Sequence, residues 1–236
     1  MKYINAIGLE VESAFDEDVY ELECNSPYIS DIKDDASIEL EEYDMQGIEV
    51  TSNKLYNIKS CKQFFKEIKP YIYDDYINDS MGFHVHISMN RDSYYSILYS
   101  RKFVEHFRTS IAKLGGDVIN RLNNSYCYDS YNDDYFYQHF PWEIRSFARD
   151  FDRYKMINFL SAFSKFGTME FRIFPSSDVD TMMKYVEFTV KCINKYLDKH
   201  LCEFGCRDSI ELVRGFEENK TVDYVLMPSD NTIAII

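Results

Sequence analysis

The sequence predicts an α+β protein. Strand-like and helix-like segments are mixed along the chain without a regular βαβ alternation. Three short runs, 8–12, 82–88 and 168–174, alternate polar and apolar residues with the period of a half-buried strand. Longer segments instead repeat apolar residues at helical spacing. Gly (8) and Pro (5) are scarce, while 45% of residues are hydrophobic and 28% charged, which excludes collagen-like, Gly-linker and Pro-rich disordered chains.

The first strand is expected over 3–13. Residues 16–46 are acidic and irregular, and read as a solvated stretch. A short strand follows at 47–51. Residues 57–71 carry Ile58, Cys61, Phe64, Phe65 and Ile68 at helical spacing, and Pro70 stops them. A strand is expected at 83–89. Ile97, Leu98, Phe103, Val104, Phe107, Ile111 and Leu114 predict one helix over 94–114, ended by Gly115-Gly116. Residues 123–141 are dense in Tyr, Asn and Asp and read as a surface loop, with a lid as the alternative. The runs 156–163 and 168–174 predict a β-hairpin. Ser177-Asp178-Val179-Asp180 resembles a capping box that opens a long helix to His200. A shorter helix over 208–218 and an apolar tail complete the reading.

A chain of 236 residues and 28.1 kDa fits one domain over 1–236. The formal net charge is −14 and the pI about 4.8, which argues against nonspecific nucleic-acid binding and against docking on anionic membranes. No apolar run is long enough for a bilayer, and the start MKYINAIGLEVE lacks the charged-then-apolar pattern of a signal peptide. The six cysteines include no CxxC, and Cys202-x-x-x-Cys206 lacks a second half for zinc. A cytoplasmic location with reduced thiols is expected. The 20 Tyr and 18 Phe read as packing residues.

The chemistry lies in the strand pairs spaced i, i+2. Such residues share a sheet face. Glu10 with Glu12, His84 with His86 and Ser88, and Glu170 with Arg172 therefore each line one face, and Glu49 adds a carboxylate in the same style. The interleaved Leu9, Val11, Phe83, Val85, Ile87, Met169, Phe171 and Ile173 take the other face. A single Glu-x-Glu is most often a solvated face. His-x-His is more specific here because the chain has five histidines. Converging carboxylates repel one another, and divalent cations relieve that repulsion. Hard oxygen donors with one or two imidazoles suit Mg²⁺ or Mn²⁺ better than zinc. Two such ions beside an arginine form a clamp for a transferring phosphoryl group.

The pieces GLEVES, DASIELEEYDMQGIEVTS, GFHVHISMN and RYKMINFLSAFSKFGTMEFRIFPSS occur in that order over about residues 7–177. Together they resemble the amidoligase family of the glutamine-synthetase-like carboxylate–amine ligases. The resemblance implies a curved, mostly antiparallel sheet with helices on its convex side, and a C-terminal helical portion over 178–236. It implies ATP and Mg²⁺ or Mn²⁺ as cofactors, with Glu10, Glu12, Glu49, His84 and Glu170 as metal ligands. Arg172 and Arg153 would contact phosphate and the transition state. His86, Ser88 and Asn158 would line the nucleotide side, and Asp35 would orient the amine. Ala36 stands where the family has a glycine. The implied reaction joins a carboxylate to an amine through an acyl phosphate, releasing ADP and phosphate. A metal-dependent hydrolase or phosphoesterase would use the same face, and a non-catalytic scaffold is the third reading.

Overall fold

The computed structural model describes residues 1–40, 46–98, 100–124, 127–129, 154–159, 161, 167–201, 224–226 and 233–235. In chain order these form β1 (Ile4–Phe15), a 3-10 turn (Glu17–Tyr20), α1 (Glu21–Asn25), β2 (Ile29–Asp34), β3 (Gln46–Ser52), α2 (Ile58–Ile68) and β4 (Gly82–Met89). There follow α3 (Arg91–Ile97), α4 (Arg101–Ile111), α5 (Gly116–Asn120), β5 (Asn123–Asn124), β6 (Cys127–Tyr128), β7 (Ile157–Asn158), β8 (Met169–Pro175) and α6 (Val179–His200). The last described elements are β9 (Tyr224–Leu226) and β10 (Ile233–Ile235), an antiparallel pair. The class is α+β as expected, with an open six-stranded antiparallel sheet in the order β2-β3-β1-β4-β8-β7. No helix among the described residues is long and apolar enough to cross a membrane. The four cysteines among the described residues are free thiols.

The chain clusters into two compact units that interleave in sequence. One comprises Ala6–His86 and Phe171–Thr189. Its strands obey the period-2 rule: Leu9, Val11, Ile48, Val50, Phe83, Val85, Phe171 and Ile173 are all fully buried. Helix α2 adds Phe64, Phe65 and Ile68 to that core. The Phe65 ring lies 5.8 Å from Phe83, and Phe174 stacks on Tyr185 of α6 at 4.8 Å. Asn57 caps α2 by accepting from the Ser60 N–H at 2.9 Å. At the other end the expected helix gives way to a 3-10 turn, Lys69–Tyr71, because Pro70 supplies no N–H. Asp178 opens α6 by accepting from the Thr181 N–H at 3.0 Å.

Strand β2 falls in the stretch expected to be irregular. Its burial repeats every third residue, with only Ile29 and Ile32 inside. A register shift between Ile29 and Asp31 explains this: an extra residue flips the parity, so both isoleucines reach the same side.

The other unit comprises Met1–Asn5, Ile87–Glu170 and Val190–Ile236. The single helix expected over 94–114 is two helices. The Leu98 N–H closes α3 on the Tyr94 carbonyl at 2.8 Å, and Ser100 caps α4 by accepting from the Phe103 N–H at 3.3 Å. The serine's affinity for an N-cap overrides a continuous apolar stripe. Phe103, Phe107 and Ile111 of α4 are fully buried, and the Phe103 ring meets Tyr196 of α6 edge-on at 5.1 Å. Of the expected hairpin, β8 and the two-residue β7 are described. The helix expected over 208–218, and most of 123–141, lie outside the described residues.

Candidate metal centre

Strand register assembles the centre inside the first unit. Across three strands, Lys33 of β2 sits opposite Glu49 of β3, and Glu49 sits opposite Glu12 of β1. The next row on that face is Asp31, Thr51 and Glu10. Glu10, Glu12 and Glu49 are each half-buried, while Leu9, Val11 and Val50 on the reverse face are fully buried. Gly8 admits β4 closely, since a Cβ there would lie 3.2 Å from the His86 Cβ.

His84 is almost wholly buried, at 2% exposure, between two carboxylates. Its Nδ1 lies 3.1 Å from Glu10 Oε2, and its Nε2 lies 3.7 Å from Glu12 Oε1. His86 Nε2 lies 3.1 Å from the other oxygen of Glu10. Each Glu10 oxygen therefore faces a different imidazole. Burial works against the Glu10 anion, but the His84 hydrogen bond and the adjacent His86 imidazole, with their charge, hold its carboxyl far below the usual range. When His84 donates from Nδ1 to Glu10, its Nε2 lone pair points towards Glu12, beyond hydrogen-bond range. That is the carboxylate–histidine arrangement which orients an imidazole towards a metal.

Glu12, Asp35 and Glu49 form a carboxylate triad whose candidate ligand atoms all lie within 4.8 Å of one another. Asp35 reaches it from the turn after β2. Its Oδ1 accepts from the Ser37 N–H at 2.9 Å and from the Ser37 hydroxyl at 2.6 Å. Its own N–H donates to the Gly47 carbonyl at 2.8 Å. Gly47 makes this docking possible: a Cβ there would stand 2.4 Å from the Ile38 Cβ and 2.9 Å from the Asp35 carbonyl oxygen. Ala36 is accommodated in this turn, and Asp35 still joins the acidic group.

Glu49 Oε1 receives the Lys33 ammonium at 2.8 Å and the Thr51 hydroxyl at 3.2 Å. Burial raises the Glu49 carboxyl above its ordinary value, the Glu10 and Glu12 charges add to this, and Lys33 opposes them. Three carboxylates within one ion's reach, beside a buried imidazole, are a hard-donor set that fits Mg²⁺ or Mn²⁺.

Of the other expected site residues, Glu170 lies on β8 in the second unit and is buried at 5% exposure. The Asn158 amide of β7 donates to Glu170 Oε2 at 2.7 Å, so it grips that carboxylate. Arg172, His86 and Ser88 are half-buried on their strands. Arg153 lies outside the described residues.

Lys33 is the site residue that pattern reading missed. It sits in a run read as solvated acid, and only the register across the β2 irregularity brings it to Glu49. It also lines an open cavity of about 650 Å³ with Glu17, Asp18, Tyr20, Glu21 and Asp34. Compared with protein-family models and with curated proteins, the chain matches none.

Proposed function

We propose that this chain is an ATP- and Mg²⁺-dependent (or Mn²⁺-dependent) carboxylate–amine ligase of the cytoplasm, working without nonspecific nucleic-acid binding or a membrane. The observation that carries the reading is the Glu12–Asp35–Glu49 triad beside His84, an oxygen-rich donor set suited to hard divalent ions. A carboxylate is a poor electrophile because it is anionic and has no leaving group. Transfer of a phosphoryl group from ATP corrects both faults, and an amine then displaces phosphate to give an amide. Bound divalent ions supply charge neutralisation for the phosphates.

The chain's own residues do the rest. Glu12, Glu49 and His84 hold cations, and Glu170 is a further ligand. Glu10, itself a carboxylate donor by position, fixes both imidazoles through its two oxygens. Asp35 is held in its turn by Ser37, ready to orient the incoming amine. Arg172 and Arg153 stabilise charge that develops on the phosphoryl group. His86 and Ser88 line the nucleotide side, and the Asn158 amide holds Glu170.

The test is ADP release from MgATP with pooled amino acids and polyamines, comparing wild type with Glu170→Ala and Arg172→Ala. Stimulated release abolished by both substitutions is the expected result. Absence of release, together with no Mg²⁺-dependent ATP binding by calorimetry, would overturn the ligase reading.

A further inference from the structure

We propose that Lys33 is the internal counter-cation of the carboxylate centre, and that a divalent ion loads by taking Glu49 from it. This rests on the metal-centre reading above. It adds a positioning residue which that reading did not contain.

Three observations carry it. First, the contact is built into the sheet: Lys33 faces Glu49 and Glu49 faces Glu12 in one row. Second, exposure is asymmetric. The Glu49 side chain is 12% exposed and fixed on a central strand, whereas Lys33 is 54% exposed on a flexible stem. Lys33 is thus the partner able to leave. Third, the ammonium sits on Glu49 Oε1 at 2.8 Å, an oxygen that also accepts from Thr51. A cation shared by Glu12, Asp35 and Glu49 would stand within a few ångströms of that ammonium, and two cations so close repel strongly outside bulk water.

Lys33 also borders a cavity with Glu17, Asp18, Glu21 and Asp34. Loading therefore becomes an exchange of one resident positive charge for two incoming ones. The exchange favours divalent over monovalent ions, and it keeps the half-buried Glu49 compensated while no ion is bound.

The experiment is Mn²⁺ titration by calorimetry of the full chain, with wild type, Lys33→Met and Lys33→Arg, each repeated in a Glu49→Gln background. Thermal midpoints are measured without metal. The expected result is Mn²⁺ binding on the order of tenfold tighter in Lys33→Met, with a lower metal-free midpoint. Lys33→Arg, which keeps the charge, should not tighten binding. The Lys33→Met effect should vanish beside Glu49→Gln. A lysine with a merely structural role would give weaker binding or none of this pattern. Wild type that binds Mn²⁺, with Lys33→Met binding equally or more weakly, overturns the role of Lys33 and leaves the metal centre standing. No Mn²⁺ binding by wild type or Lys33→Met overturns both.

Discussion

Replacing Gly47 with alanine separates a packing argument from a propensity argument. Glycine inside a strand is ordinarily a weakness, and alanine there should gain about 0.5–1 kcal/mol. The surroundings of Gly47 reverse that sign. The new methyl would meet the Ile38 Cβ at 2.4 Å, and the Ile38 Cγ2 and Asp35 carbonyl oxygen at 2.9 Å. Carbon atoms sit comfortably about 3.5–4.0 Å apart, so the turn must retreat by roughly 1 Å. Retreat stretches the bond from the Asp35 N–H to the Gly47 carbonyl. It also pulls Ile38 from its cluster with Ala14 and Met81. Overpacking and one strained hydrogen bond together predict a loss of about 2–4 kcal/mol. Urea denaturation should show a lower midpoint at unchanged slope. Ile38→Ala should not rescue the variant, because it removes the Cγ2 but leaves the Cβ that makes the worst contact. Mn²⁺ affinity should fall as well, since the same turn carries Asp35. A Gly47→Ala protein as stable as wild type would refute the reasoning.

The two central glutamates should respond in opposite directions when no metal is present. Glu10 has a depressed carboxyl, so its contribution is present above the ordinary Glu range and lost as pH falls through its folded value; Glu10→Gln should lower stability at neutral pH and blunt acid unfolding. Glu49 has a raised carboxyl, so its contribution is complete below the ordinary range and lost as pH rises; Glu49→Gln should raise the neutral-pH midpoint while weakening Mn²⁺ binding. Removing the α6 cap with Asp178→Ala should cost about 1 kcal/mol in urea denaturation.

Period-2 alternation was enough to find β1, β3, β4 and β8, and to place Glu10, Glu12, Glu49, His84, His86 and Glu170 on the polar faces of their strands. Pairing was not legible. Whether Glu12 or Glu10 lies opposite Glu49 depends on a register fixed by backbone hydrogen bonds between distant segments. Strand β2 escaped because its irregularity spaces Ile29 and Ile32 three apart, and Lys33 escaped with it. The break between α3 and α4 was hidden for a different reason: the apolar stripe runs on through it, and only the Ser100 cap marks the stop.

The polar face of β1, β3 and β4 is costly for a fold to carry. Serine or threonine would satisfy the same alternation without crowding charge. Instead each acid is compensated from within: Glu10 by two imidazoles, Glu49 by Lys33 and Thr51, Asp35 by Ser37. Compensation at Glu49 is incomplete, since burial, with the Glu10 and Glu12 charges, keeps its carboxyl above the ordinary range despite the lysine at 2.8 Å. Glu12 has the longest contact of the group, 3.7 Å to His84 Nε2. A folded chain that holds acids under repulsion, with resident donors only partly offsetting it, is set to gain free energy from an added cation. Departure from local optimality of this kind is expected at functional sites rather than in the supporting core. The reverse face of the same strands, with Leu9, Val11, Ile48 and Val50 fully buried, shows no such departure.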